Sequence, residues 1–462
     1  MAFSSPAFVF AFLPVVFLLY RLIPWHKGKN LLLMLFSLLF YSAGSLVHLP
    51  LLLGVALVNY LAGLWFRSGR KGKRAVLVLT LVLNLGVLAA FKYLDFFTQT
   101  ANDVLGLSLR LPGLLLPIGI SFFTFQGLSY SIDVYRRPEE GTGNFFEVLL
   151  YLSFFPQLIA GPIVKYHDVS AQIRSRKTEL PEVAAGVRRF MVGLAKKLLL
   201  ADIFAVAVDR IFGQTILDAR LAWLAAVCYC LQIYFDFSGY SDMAIGMGRM
   251  FGFRFLENFD LPYSSSSIRE FWRRWHISLS SWFKEYVYIP LGGNRKGTGR
   301  TYLNLTIVFF LTGLWHGANW TFILWGLWHG FWSVMERLTP LKKLSGKLIG
   351  RIYTLLVVLI GFTLFRADTV GQGLTVIGRL FTGFSFTRDG TILFRELITV
   401  KLILALAVGI PVSLGLHRLL ADRWKQKPVL RALSYAGALC LFALCILRLA
   451  AASFNPFIYF QF

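Results

Sequence analysis

The chain has 462 residues, of which 56% are hydrophobic, 16% aromatic and only 15% charged, with a mean hydropathy of +0.64. A charged share so far below the roughly 25% of soluble domains excludes a disordered chain and argues against a soluble globular enzyme. The net charge of +24 is carried by short basic clusters between apolar runs. That is the distribution of cytoplasmic loops and lipid headgroup contacts, not of a nucleic-acid-binding face, so membrane lipids are expected as partners and nucleic acid is not.

The first segment carries no Lys or Arg before Pro6, and Ala7–Tyr20 runs straight into Arg21 and Lys27 without a small-residue cleavage site. It reads as an uncleaved membrane segment. Apolar stretches that span or nearly span a bilayer then recur. They cover about 7–24, 31–49, 50–66, 75–97, 114–132, 145–164, 186–212, 219–238, 301–315, 318–336, 350–366, 397–417 and 430–453. Thirteen is an upper count, because several are broken: Leu116–Pro117–Ile118–Gly119, Phe155–Pro156 and Gly161–Pro162. Broken backbone inside a membrane is tolerated only where protein or water covers it, which predicts re-entrant segments and an internal cavity. The expected fold is therefore an all-α integral membrane protein, a single polytopic domain over 1–462.

Basic clusters mark the cytoplasmic side. They are Arg67, Arg70, Lys71, Lys73 and Arg74; Arg174, Arg176 and Lys177; and Arg418, Arg423, Lys425, Lys427 and Arg431. The last of these sends the final span outward and puts 454–462 at the outer face, although Arg448 near its outer end runs against the rule. The four cysteines, Cys228, Cys230, Cys440 and Cys445, lie in apolar segments without zinc or disulfide spacing, as small buried residues. The glycines of 247–253 follow no strand, so they suit close helix packing and not a dinucleotide fingerprint.

Between Asp236 and Arg300 the chain turns dense in polar, charged and aromatic residues. Ser264–Ser267 ahead of Glu270 predict a capped helix start. A helix over 268–288 would carry Trp272, Trp275, Leu279, Trp282 and Phe283 as an aromatic stripe, with Arg273, Arg274 and Lys284 off it. Such a helix suits a membrane interface or a cavity mouth. Gly292–Gly293 then make a turn.

An ionisable residue at membrane depth is a functional candidate by default. Of seven histidines, His276, His316 and His329 lie in or beside the dense region. His316 is flanked by Gly313 and Gly317, which permit close approach, and Asn319 three residues on would share its helix face and orient the imidazole. On one continuous helix His316 and His329 would stand about 20 Å apart and roughly 220° around the axis. They cannot then serve one atom unless Gly317–Ala318 turns the chain. His329 reads either as a packing histidine or as a site residue, and His276 as an anchor or a functional group. No HExxH spacing and no clustered carboxylate attend them, so no metal is expected. The terminal Phe457–Phe462 is too aromatic to remain in water. Tyr459 is an interfacial anchor or, through its phenol with a reference pKa of about 10, a temporary acyl carrier.

The run RRWHISLSSWFKEYVYIPLGGNR, with GLWHGANW and WGLWHG after it, resembles the membrane-bound O-acyltransferases, closest to the alginate O-acetyltransferase branch. PIGISFFTFQGLSYSIDVYR, FFPQLIAGPIVKY and YFDFSGYSDMAIGMGRMFGFRFLENFDLPY are similar to the same branch, so the likeness spans about 1–340 plus the terminal FIYFQF. It implies a ring of about 11–13 transmembrane and re-entrant helices around a central tunnel, with 110–340 as the catalytic core and 454–462 as an acyl-carrier-like motif. The family's central histidine falls on His316 and its second on His276. The carrier tyrosine falls on Tyr459, from which the acyl group would pass to a serine of a separate extracytoplasmic acetyltransferase. Asn319, Trp315, Trp275, Arg273, Arg274, Ser280 and His329 are assigned to the substrate path. Acetyl-CoA is implied as donor, with no bound cofactor, and the bacterial inner membrane as location. Alternatives are a D-alanyl or peptidoglycan acyltransferase of the same family, or a polysaccharide or lipid transporter built on the same broken helices.

Overall fold

A computed structural model describes residues 2–159, 161–214, 217–344, 346–416 and 428–451. Every regular element among them is helical, as expected for backbone that must satisfy its own hydrogen bonds in lipid. Among the described residues five helical runs are long and apolar enough to cross a membrane: His26–Arg67, Lys73–Leu105, Ala219–Met250, Leu348–Arg366 and Ala432–Ala450. Each of the thirteen apolar stretches has a helical counterpart, several of them short, as the breaks predict. The chain is a multi-pass integral membrane protein. The residues group into two compact units, 1–190 with 241–256, and 191–240 with 257–462.

In the first unit the predicted breaks are real. Helix Ile120–Arg136 starts only after Gly119, whose left-handed backbone (φ 73°) sets the entry. Phe145–Ser153 stops at Phe154, and Pro156 opens the short helix Phe155–Leu158 at a position where its missing N–H costs nothing. The helices interlock through Phe8, Phe12, Phe40 and Phe155, with Phe12 and Phe155 edge to face at 5.3 Å. Polar side chains also join them: Asn59 donates to Asn84 at 3.0 Å and accepts from Ser131 at 2.7 Å, all three buried. Such bonds hold helices together where hydrophobic association gives little. Gly246 packs so closely on the helix Leu180–Ala195 that a Cβ there would lie 2.6 Å from the Gly186 carbonyl oxygen. Gly248 meets the Phe255 ring in the same way. Gly246 and Gly248 are thus packing residues, whereas Gly252 lies past the helix end in left-handed backbone, φ 81°.

In the second unit a Cβ on Gly239 would lie 2.7 Å from the Gly193 carbonyl oxygen. A π-helical turn, Lys196–Ala201, follows and gives way to helix Asp202–Phe212. It places the buried ammonium of Lys197 at 2.9 Å from Asp202 and 2.8 Å from Asp236. Ionisable residues at this depth pair in this way or are not retained. The helix that carries Asp236 runs on to Met250, so the first part of the polar-dense region belongs to this long helix.

Candidate active site

The second unit builds the site. Helix Thr298–His316 ends on His316, because Gly317 adopts extended backbone. The next helix, Trp320–Leu338, starts at once with Asn319 as its cap, the Asn319 Oδ1 accepting from the Thr321 N–H at 3.0 Å. The two helices form a tight hairpin. Its closeness rests on Gly313 and Gly326, where Cβ atoms would fall 2.4 Å from the Phe322 oxygen and 2.3 Å from the Phe309 oxygen. The glycines beside His316 therefore admit the neighbouring helix, not a ligand. Two expectations change here. Asn319 does not share a helix face with His316, since the chain breaks between them; its Nδ2 donates to the Asp368 carbonyl at 3.0 Å. His316 and His329 do not stand a helix length apart, since the chain does turn at Gly317 and the hairpin brings both against one indole. Trp325 meets His316 at 5.0 Å and His329 at 5.2 Å between ring centroids.

The predicted helix 268–288 is also broken. Ser267 caps Ile268–Arg274 as expected, accepting from the Glu270 N–H at 3.1 Å, while the Glu270 carboxylate reaches back to the Ser266 N–H at 2.8 Å. Burial would raise the Glu270 pKa, but the Ser266 hydrogen bonds and Arg274 outweigh it and hold it below the usual carboxylate range. The helix stops at Trp275 and resumes as Ile277–Phe283. Between them His276 takes left-handed backbone, φ 44° and ψ 55°. Strain of this kind in a non-glycine residue, about 1–3 kcal/mol, collects at functional sites. Asn258 holds it there. The Asn258 carbonyl accepts from the Ile277 N–H at 2.9 Å, and its side-chain oxygen accepts from the Ser278 N–H at 3.1 Å and the Ser278 hydroxyl at 2.9 Å. His276 Nδ1 lies 3.2 Å from the same oxygen. His276 sits outside the spanning helices, and burial pushes its imidazole down to about 3, so it is neutral at physiological pH.

Three histidines thus meet one aromatic line. His276 packs edge to face on Trp315 at 5.9 Å, Trp315 on His316 at 4.9 Å, and His316 on Trp325 and Phe365 at 5.0 and 5.1 Å. His329 ends the line between Trp325, Trp272 and Phe271. All three imidazoles are buried. His276 Nε2, both ring nitrogens of His329 and the indole N–H groups of Trp272 and Trp325 are buried without a hydrogen-bond partner among the described residues. Buried polar atoms left open cost about 1–3 kcal/mol each. Five such atoms gather here among aromatic walls.

The remaining assigned residues divide. Trp315 lies inside the line. Trp275 is a core residue, packed on Phe271 at 5.6 Å and Phe362 at 4.9 Å. Arg274 bonds Glu270 at 2.8 Å and reaches Ser264 and the Asp260 carbonyl, tying the loop before the helix. Arg273 is exposed. Ser280 donates its N–H to the His276 carbonyl at 3.0 Å, closing the turn beneath it. Tyr459 and the rest of 454–462 lie outside the described residues. Sequence reasoning missed Asn258, Trp325 and Phe271. Trp325 was within reach, since it stands four residues before His329 and so on the same helix face. In the first unit it also passed over His167, which sits between Asp133 at 2.9 Å and Asp168 at 3.3 Å.

Comparison with known proteins identifies the family. The model of the membrane-bound O-acyltransferase family matches residues 136–339, which include all three histidines. The chain is 40% identical to a probable alginate O-acetylase of Pseudomonas putida, with 100% of both chains aligned. It is 39% identical to the corresponding protein of Pseudomonas aeruginosa, again with 100% of both chains aligned. It is 40% identical to a peptidoglycan O-acetyltransferase of Helicobacter pylori, over 70% of this chain and 67% of that one.

Proposed function

Since the chain belongs to the membrane-bound O-acyltransferase family and is a multi-pass membrane acyltransferase, we propose that it moves acetyl groups across the bacterial inner membrane for O-acetylation of an exported polysaccharide such as alginate. The observation that carries this reading is the gathering of His276, His316 and His329 on one buried aromatic line. That arrangement offers proton acceptors inside apolar walls. A transporter has no use for several imidazoles around one indole, whereas acyl transfer needs a base beside the reacting carbonyl.

In the proposed reaction acetyl-CoA presents its thioester from the cytoplasmic side. His316 takes the proton from the acceptor hydroxyl as that oxygen attacks the carbonyl carbon. The C–S bond breaks and the coenzyme A thiolate leaves, receiving the proton from the imidazolium. His276 serves as the second imidazole of the site, and the aromatic walls keep water from the ester. The acceptor is the phenol of Tyr459, an aryl ester being a better leaving group than an alkyl ester for the next transfer. A serine of an extracytoplasmic acetyltransferase then takes the acetyl group from Tyr459 to the polymer. In this reading 110–340 is the catalytic core and 454–462 the carrier.

The likeness to the peptidoglycan enzyme supports a second acceptor with the same membrane chemistry, the glycan of the cell wall. Two measurements separate the alternatives. His316→Ala should abolish polymer acetylation while the protein still accumulates in membranes, and full acetylation in that variant overturns the proposal. Acetate released by mild base from exopolysaccharide or from peptidoglycan of the gene-deleted strain identifies the acceptor that lost it.

A further inference from the structure

The environment of His276 fixes which of its nitrogens carries the proton. Asn258 is fully buried, and three groups converge on its side-chain oxygen. One is the Ser278 backbone N–H at 3.1 Å, which can only donate. The atom facing it is therefore the amide oxygen and not the amide nitrogen, so no flip of Asn258 is available. The Ser278 hydroxyl donates to it as well at 2.9 Å, much the shorter of its two contacts here, since it stands 3.4 Å from His276 Nδ1. An oxygen so placed only accepts, and His276 Nδ1 stands 3.2 Å from it. The opposite tautomer would set an imidazole lone pair against a carbonyl lone pair inside the protein. A neutral imidazole carries one N–H, so once Nδ1 holds it, Nε2 bears the lone pair. That Nε2 is buried and has no partner among the described residues.

We propose that Asn258 is a positioning residue that locks His276 as the Nδ1–H tautomer, making the buried Nε2 a hydrogen-bond acceptor for the acyl-receiving hydroxyl. This inference rests on the acyl-transfer reading and sharpens it. A neutral imidazole in this tautomer cannot donate to the thioester carbonyl oxygen, so His276 does not polarise the donor. It receives the O–H of the docking acceptor and so places the oxygen; the hydroxyl then turns its one proton to His316, which removes it as the oxygen attacks the carbonyl carbon. The left-handed backbone of His276 serves the same end, since it brings Nδ1 and the Ser278 N–H onto one oxygen. Burial keeps the ring neutral and thus keeps the tautomer meaningful across physiological pH.

The test uses the full-length protein in lipid nanodiscs with 15N-labelled histidine. The His276 signals are identified by their loss in His276→Gln. The expected spectrum shows a protonated Nδ1 and an unprotonated Nε2 at neutral pH; a protonated Nε2 overturns the proposal. Asn258→Leu keeps the branched shape and removes the acceptor. It should lower acetyl transfer on the order of a hundredfold, leave the KM for acetyl-CoA unchanged, and shift His276 toward the other tautomer. Asn258→Asp restores the acceptor and most of the transfer at alkaline pH. It should also add an acid limb to the pH profile, because a carboxylate beside Nδ1 favours the imidazolium. Full transfer in Asn258→Leu, or a pH profile in Asn258→Asp that matches the parent, counts against the lock. If Asn258→Leu does not fold, the parent spectrum alone still decides. Absence of acetyl transfer by the parent protein would strike the acyl-transfer reading and leave the tautomer result standing.

Discussion

Gly326→Ala should do more damage to this enzyme than its single methyl suggests. The added Cβ would stand 2.3 Å from the Phe309 carbonyl oxygen and 3.1 Å from the backbone of Gly313. It must retreat about 0.7 Å to reach even 3.0 Å, a distance that real Cβ atoms hardly ever breach. What it meets is main chain, so no side chain can rotate away. Alanine gains about 1 kcal/mol of helix propensity over glycine, against about 1–3 kcal/mol for overpacking. The hairpin therefore loses up to about 2 kcal/mol and opens by most of an ångström. Trp325 lies one residue away, between His316 and His329, so the misplacement reaches the reacting groups. A shift of about 1 Å at such a site can cost on the order of a hundredfold in rate. Gly86→Ala is the control: Gly86 lies in the helix Lys73–Leu105 with nothing within 4 Å of its Cβ, so the substitution should stabilise slightly. Thermal unfolding of the detergent-solubilised protein, followed by size-exclusion of a fluorescent fusion, reads stability, and acetyl transfer reads geometry. A Gly326→Ala protein as stable and as active as its parent would refute the close hairpin.

Three further expectations follow from single contacts. Lys197→Met leaves Asp202 and Asp236 together in the interior without their ammonium and should cost about 3–5 kcal/mol, seen as loss of folded protein in the same assay. Asn319→Ala should cost about 1 kcal/mol through the lost cap, whereas Asn319→Ser keeps cap and activity. An Asn319→Ser protein that is stable but inactive would instead give that side chain a part in the chemistry. His276 has its folded pKa pushed below the unfolded value of about 6.5, to about 3. Between those limits the unfolded chain binds the extra proton, so its contribution to stability is full above about 6.5 and is lost as pH falls toward 3. Unfolding midpoints of His276→Gln should decline less steeply than the parent's over this range; parallel curves would contradict the burial.

What sequence revealed and what it hid divide along the range of the interactions. Helices, their breaks at Gly119 and Pro156, and the Ser267 cap were legible, because each depends on local backbone chemistry. His276 and His316 were singled out because a titratable group in an apolar chain stands out at once. Their meeting was not legible. It depends on the turn at Gly317, which the sequence offered only as an option, and on the break at His276, where nothing in RRWHIS signals left-handed backbone. Asn258 was hidden because it lies eighteen residues from the histidine it holds. The stripe residue Trp275 and the basic Arg274 looked like site residues by type, and packing and ion pairing account for both.

In the proposed relay, acetyl passes from a cytoplasmic thioester through Tyr459 of the terminal motif. The purified full-length protein should be incubated with radiolabelled acetyl-CoA and the label mapped by mass spectrometry, beside His316→Ala and Tyr459→Phe. An acetyl group is expected on Tyr459 in the parent and on neither variant. Label that persists in Tyr459→Phe, or that reaches Tyr459 in His316→Ala at the parent's rate, would contradict it.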